Sequence, residues 1–289
     1  MTIQEVLRKT SSNYHLSPLD SGILLSLALG KPKEYLLAHP EIELTKAQYE
    51  KFASFAERRS AGEPVAYIVG KKEFYNLEFI VDKNVLIPRP ETELLVDNVV
   101  KNIQVTRYQI PDTIIDVGTG SGNVIVSIAK FLPAKIKNKM KFFAFDISKE
   151  SLGVAKENAK KHRVEKKIKF IQSDLLEYFF KNKKELKNIF VIANLPYISP
   201  KIYQSNKNNL KYEPKQALVS SDKGLSHYNK LFEQVRLLFK DRCSLNIEIS
   251  PEQKPEISRI LKDFFPKSRL MFHRDLAGKW RVAEASPNC

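Results

Sequence analysis

The stretch that most restricts the fold is 112–129, DTIIDVGTGSGNVIVSIA, an apolar β-branched run that breaks into a three-glycine turn and restarts at once with helical spacing. A short run with no polar face reads as a strand buried on both sides, and such strands sit in parallel sheets covered by helices. The chain around it repeats that alternation. After Pro90 come helix PETELLVDNVVKNI, strand 112–117, helix SGNVIVSIAKFL, strand KFFAFDI (141–147), helix KESLGVAKENAKKH, and strands KIKFIQSD (167–174) and NIFVIAN (188–194). A long loop then leads to helix 225–239, strand CSLNIEIS (243–250), helix PEQKPEISRILKDFF and two strand-like stretches near 268–275 and 279–284. The alternation predicts an open, doubly wound α/β sheet with helices on both faces.

The segment before this region has a different texture. Residues 1–63 are helical in pattern, with Ser17-Pro18 opening one helix, Thr45 placed to N-cap another and Gly62 placed to stop it, so a small bundle is expected. Residues 64–89 turn aromatic and β-branched around a turn-prone Tyr75-Asn76, the pattern of a hairpin connector, and 90–289 hold the α/β region.

Glycines between a strand and a helix allow a ligand to approach the backbone, and the free N–H groups of the helix start favour a polar or anionic group. Gly118, Gly120 and Gly122 are spaced G-x-G-x-G, and Asn123 stands where the dinucleotide fingerprint needs its third glycine, which argues against a nicotinamide or flavin. Asp116 before the loop and Asp146 at the end of the next strand suit a ligand with an amino group near the loop and ribose hydroxyls beside the second strand. S-adenosylmethionine has both. Asp174, ending the third strand, is placed to accept from an adenine amino group or to orient the neighbouring backbone. An aspartate at any of these positions is also an ordinary helix N-cap. Three of them at successive strand ends around one glycine loop favour a binding site.

The fourth strand ends in Asn194-Leu195-Pro196-Tyr197, beside where the methyl of such a donor would lie. The Asn194 side-chain oxygen and the carbonyl of Leu195 can each accept from an NH2 group, and a grip of that geometry localises a delocalised nitrogen lone pair in the transition state. Tyr197 would stack on the planar group that carries the NH2. The same four residues also suit a plain proline turn with a packed tyrosine.

Charge and composition narrow the setting. The net charge is +15, with lysines concentrated in 135–141, 156–170 and 181–187. Such a surface attracts nucleic acid and leaves room for non-specific contact with ribosomal RNA, but the runs lack interleaved aromatics and equally describe a solvated face. The opening residues have no secretory h-region, and the longest apolar stretch, 22–30, is too short to span a bilayer, so a cytoplasmic protein is expected. Cys243 and Cys289 form neither a metal-ligand spacing nor a disulfide framework.

Taken together, 64–97, DVGTGSGNVIVSIA (116–129), 143–159, IANLPYIS (192–199), 212–225 and RDLAGKWRV (274–282) resemble the HemK/PrmC family of protein-(glutamine-N5) methyltransferases. LIPRPETELLVD (86–97) is the most specific of these matches, because a glycine loop plus an NPPY-like box is shared with amino-methyltransferases of nucleic acid. The resemblance implies a Rossmann-like, seven-stranded S-adenosylmethionine-dependent methyltransferase fold behind a helical substrate-recognition domain. It implies methylation of the glutamine in the Gly-Gly-Gln loop of peptide-chain release factors, with a monomer expected and no metal. It places the donor on Gly118, Thr119, Gly120, Ser121, Gly122, Asp146, Asp174 or Leu175, and Asn194, and the glutamine on Asn194 to Tyr197. Arg89-Pro90 and Glu213-Pro214 would wall the pocket or serve the structure alone, the prolines through turn geometry and Arg89 through an ion pair. The chain departs from the family's Asn-Pro-Pro-Tyr box at Leu195, which keeps the carbonyl and the extended bias that Pro196 imposes but adds an N–H that needs a partner. Activity is expected to survive. The competing expectations are a nucleic-acid amino-methyltransferase and a donor-binding protein that has lost catalysis through Leu195.

Overall fold

The computed structural model describes residues 1–105, 111–182, 186, 188–239 and 243–287; most of the lysine run at 181–187 and Cys289 lie outside the described residues. The chain divides into two compact units, Met1–Lys71 and Lys72–Cys289.

The first unit is built from α1 (Ile3–Tyr14), α2 (Pro18–Leu29), α3 (Lys33–Ala38), α4 (Lys46–Ser60) and α5 (Val65–Val69). Their starts follow from local chemistry. Thr2 and Thr45 each form a reciprocal capping box, with Glu5 and Gln48, and Ser17 caps α2 just ahead of Pro18. Ile3, Leu24, Leu25, Phe52, Ala56 and Ile68 share one core. The sequence reading places 65–69 in the hairpin connector. They form α5 instead, because the chain gains more by burying Ile68 with the bundle than by extending the strand.

In the second unit the hairpin is β1 (Lys71–Phe74) and β2 (Leu77–Ile80), joined by Tyr75 and Asn76 at φ of 51° and 56°, the left-handed pair of a tight hairpin turn. The sheet follows as β3 (Thr113–Val117), β4 (Lys141–Asp146), β5 (Ile168–Gln172), β6 (Ile189–Ala193), β7 (Cys243–Glu248), β8 (Ser268–Arg274) and β9 (Trp280–Pro287), in the order β5-β4-β3-β6-β7-β9-β8. β3 through β7 are parallel, and β9 runs antiparallel to both β7 and β8. The helices are α6 (Glu93–Val105), α7 (Asn123–Phe131), α8 (Ala134–Lys137), α9 (Lys149–Lys161), α10 (Glu177–Lys181), α11 (Pro200–Ser205), α12 (Lys207–Leu210), α13 (Ser226–Phe239) and α14 (Lys254–Phe264).

Every residue of β3 and β6 is buried, and alternate side chains feed two cores. Ile115, Val117, Val191 and Ala193 pack with residues of α10, α13 and α14, whereas Ile114, Phe190 and Ile192 pack with α6, α7 and α9. The chain leaves β3 toward β4 and β5 and returns on its other side as β6. The carboxyl ends of β3 and β6 therefore flank the point where the strand order reverses, which is where open α/β sheets bind ligands. No described helix is long and apolar enough to cross a membrane.

Candidate active site

The glycine loop is held in place by its neighbours in the sheet. The Gly118 and Thr119 N–H groups donate to the Phe145 carbonyl at 2.8 and 2.9 Å, and Gly122 N–H closes the turn on Thr119 O at 2.8 Å. Gly118 has φ of +73°, and a Cβ there would meet the Leu195 Cδ2 at 2.9 Å, so the first glycine and the acceptor box are fitted to each other. A buried asparagine, Asn158 of α9, fixes the outer side. It exchanges two hydrogen bonds with the Ile80 backbone and donates to Ser121 O, tying β2 to the loop.

A cavity of about 520 Å³ opens over the strand ends. Asp116, Gly118, Thr119, Gly120, Ser121, Asp146, Asp174, Leu175, Asn194, Leu195, Pro196 and Arg89 all line it. Gly122, Pro90, Glu213 and Tyr197 do not line it, although each is next in sequence to a residue that does or makes contact with one. Glu213 is buried behind the wall. It accepts from Arg89 Nη2 at 2.5 Å and from Ile87 N–H at 3.3 Å, joining the segment before α6 to the loop after α12.

The aspartates differ in their surroundings. Asp116 is 2% exposed and receives the Thr119 hydroxyl at 2.7 Å; burial, with Asp146 adding to it, pushes its carboxyl up to about 7. Asp146 accepts from Gly120 N–H and Ser148 N–H, both at 2.9 Å, and burial raises it as well against those bonds. The N-cap of α9 is Ser148, so Asp146 is left to hold the glycine loop against β4. Asp174 already has a partner, with Lys230 of α13 at 2.6 Å and bridging on to Glu177 at 3.0 Å. Leu175 beside it is held at φ of 50°, a strained position for a branched residue.

Among the described residues no lysine or arginine forms an ion pair with Asp116 or Asp146. Two desolvated carboxylates next to one loop, with no protein cation between them, favour a cationic ligand. S-adenosylmethionine fits that demand through its ammonium and sulfonium charges, and Asp116, Asp146 and the Gly118–Gly122 backbone would hold it.

The acceptor box is fixed by residues that sequence reasoning missed. Asn194 Nδ2 donates to Thr92 Oγ1 at 3.1 Å and to Glu248 Oε2 at 3.0 Å, and no donor in the described protein meets its Oδ1. Glu248 ends β7 and is 1% exposed; burial pushes it up to about 7 despite the Thr92 and Tyr197 hydroxyls and Arg281 nearby. The Tyr197 hydroxyl is turned inward to Glu248 Oε1 at 3.4 Å, and burial first, then Glu248, raises its pKa. The N–H that Leu195 brings is satisfied: it donates to the Tyr228 hydroxyl at 3.3 Å, and that hydroxyl donates to the Glu248 carbonyl. One signal for Glu248 was present in the sequence, a glutamate at the end of the otherwise apolar CSLNIE strand, but that β7 lies beside β6 is knowable only from the sheet order.

Residues 4–70 match the family model described as the PrmC N-terminal domain, and 111–262 match a methyltransferase domain. The chain is 35% identical to a bifunctional methyltransferase of Rickettsia bellii, covering 93% of this chain and 51% of that one. It is 32% identical to a release factor glutamine methyltransferase of Clostridium botulinum, covering 97% of this chain and 95% of that one. It is also 32% identical to one of Bacillus cereus, covering 99% of both. The chain thus spans about half the length of the bifunctional rickettsial relatives it matches. In fold it is similar to the hMettl16 catalytic domain, with a TM-score of 0.56 at 15% identity over 81% of this chain and 82% of that one. The two matched domains in tandem and full-length relatives of this identity show that the chain belongs to the release factor glutamine methyltransferase family.

Proposed function

We propose that the chain transfers a methyl group from S-adenosylmethionine to the side-chain amide nitrogen N5 of the glutamine in the Gly-Gly-Gln loop of peptide-chain release factors, in the cytoplasm. The observation that carries this reading is Asn194, whose Nδ2 is committed to Thr92 and Glu248 while its Oδ1 takes no donor from the described residues at a cavity wall shared with the glycine loop.

The donor supplies an electrophilic methyl carbon on a positively charged sulfur. The glutamine N5 would attack that carbon as the carbon–sulfur bond breaks, the sulfur leaving as a neutral thioether and the proton that N5 loses passing to solvent. The protein's part is to bind and orient. Asn194 Oδ1 and the Leu195 carbonyl accept the two N5 hydrogens and draw the nitrogen lone pair out of amide resonance. Pro196 fixes the direction of the Leu195 carbonyl, and the Tyr197 ring would stack on the amide plane with its hydroxyl on Glu248. Holding both partners in line and free of water is worth about 7–11 kcal/mol of barrier. Residues 1–63 would grip the release factor, 64–89 would link, and 90–289 would carry the chemistry.

The test incubates the full chain with labelled S-adenosylmethionine and a release factor, alongside a loop variant with alanine for the glutamine. Label in the first and none in the second supports the proposal. Equal label in both overturns it, and label found instead in co-purified RNA or DNA points to nucleic acid as the acceptor.

A further inference from the structure

The Asn194 amide could sit in its socket in two ways that differ by a half-turn about χ2. They are alike in shape and opposite in hydrogen bonding. One presents oxygen to the cavity and grips an NH2 group; the other presents NH2 and grips a carbonyl. A glutamine side chain carries both groups, so this choice decides which end of the substrate amide faces the methyl donor. We propose that Glu248 is a positioning residue and the specificity determinant of the acceptor site: its carboxylate holds the Asn194 amide with nitrogen inward and oxygen toward the substrate NH2.

The geometry supports this from both sides of the amide. Asn194 Nδ2 spends one hydrogen on Glu248 Oε2 at 3.0 Å and the other on Thr92 Oγ1 at 3.1 Å. Thr92 Oγ1 is the acceptor toward Asn194, and the Thr92 hydroxyl also works to lower the pKa of Glu248. An ionised carboxylate has no hydrogen to offer. A reversed Asn194 would therefore set its oxygen against Glu248 Oε2, in a place sealed from water, since Thr92 and Glu248 are 2% and 1% exposed. The inward hydrogen bond of Tyr197 to Glu248 Oε1 ties the same carboxylate to the far end of the box. This role follows from the glutamine-methylation reading as far as turnover is concerned, while the orientation of Asn194 stands on the geometry alone.

Charge on Glu248 is what the lock needs. The groups facing it are Tyr197, Tyr228 of α13, Arg281 of β9, and Glu91, which Arg281 meets at 3.5 Å. Glu248 itself is pushed up to about 7, so protonation below that pH supplies a donor and weakens the discrimination. Asp116 is raised to about 7 as well. The pH arm of the test is therefore read against Glu248→Gln, which removes one titration and leaves the other.

The test compares the full-length protein with Glu248→Gln, which keeps size and shape but offers a donor as well as an acceptor. Calorimetry gives the dissociation constant for S-adenosylmethionine, methyl transfer to a release factor gives kcat, and the Asn194 side-chain amide signals, assigned by their loss in Asn194→Ala, report its orientation. The expected result is a kcat lowered about tenfold or more with donor affinity within about threefold. The Asn194 signals are expected to shift with a midpoint near 7 in the wild type and to lose that titration in Glu248→Gln. Should Glu248→Gln not fold, Thr92→Val removes the second acceptor and is expected to lower kcat about threefold. Wild-type kcat in Glu248→Gln, or Asn194 signals indifferent to it, overturns the inference. No methyl transfer by the wild type would instead count against the glutamine reading, and the Asn194 signals would still decide the orientation.

Discussion

Leu195 brings a backbone N–H to a position where the family's box has proline, and the protein spends a buried tyrosine hydroxyl on it. Tyr228→Phe leaves that N–H without a partner, which costs about 1–3 kcal/mol in chemical denaturation. In a Leu195→Pro background the N–H is gone, and the same substitution is expected to cost measurably less; equal costs in both backgrounds would contradict the pairing. Leu195→Pro alone keeps the carbonyl that grips the substrate and is expected to change kcat less than about threefold, whereas Asn194→Ala is expected to lower it about 100-fold or more. Asn194, Leu195 and Pro196 could be singled out in the sequence only beside the glycine loop and the strand-end aspartates, because alone they equally suit a proline turn with a packed tyrosine. Glu248, Thr92 and Tyr228 could not, since their meaning depends on contacts made 33 to 102 residues away.

At the scale of elements, the site depends on how loops are pinned. Asn158 satisfies the N–H and C=O of Ile80 and the carbonyl of Ser121 from a fully buried position. Asn158→Ala orphans all three and is expected to cost on the order of 3 kcal/mol by denaturation, with weakened donor binding because the glycine loop loses its outer tether. Gly224, after the long loop, has φ of +89°, and a Cβ there would lie 2.1 Å from Tyr197 O. Gly224→Ala must push the acceptor box aside, so a fall in kcat larger than the change in donor affinity is expected. The strands were legible because buried parallel strands carry mostly apolar, β-branched runs, and the hairpin turn because Asn76 tolerates positive φ. The helix at 65–69 was not, because VAYIV has strong strand propensity and only the burial of Ile68 in the bundle decides otherwise.

Across the whole molecule the sheet order brings the glycine loop, three strand-end aspartates and Asn194 to one cavity, with raised carboxylates in its wall and, at Glu248, behind it. Asp116 and Glu248 are pushed up to about 7 from ordinary values of 3.8 and 4.5. Between those values the folded protein holds protons that the unfolded chain has released. These groups therefore make stability fall as pH rises from about 4 to about 7, and the loss levels off above. A bound cation favours the ionised Asp116, so donor affinity is expected to rise with pH through about 7, and calorimetry in buffers of different ionisation enthalpy should show proton release on binding. Proton uptake, or affinity independent of pH, would contradict the assignment of Asp116 to the donor's positive charge. The measurement that tests the account most directly is fragmentation mass spectrometry of a release factor after incubation with S-adenosylmethionine and either the wild-type chain or Asn194→Ala. The account predicts one methyl group on the side-chain nitrogen of the Gly-Gly-Gln glutamine with the wild type and almost none with the variant; an unmodified glutamine, or equal modification by both, would contradict it.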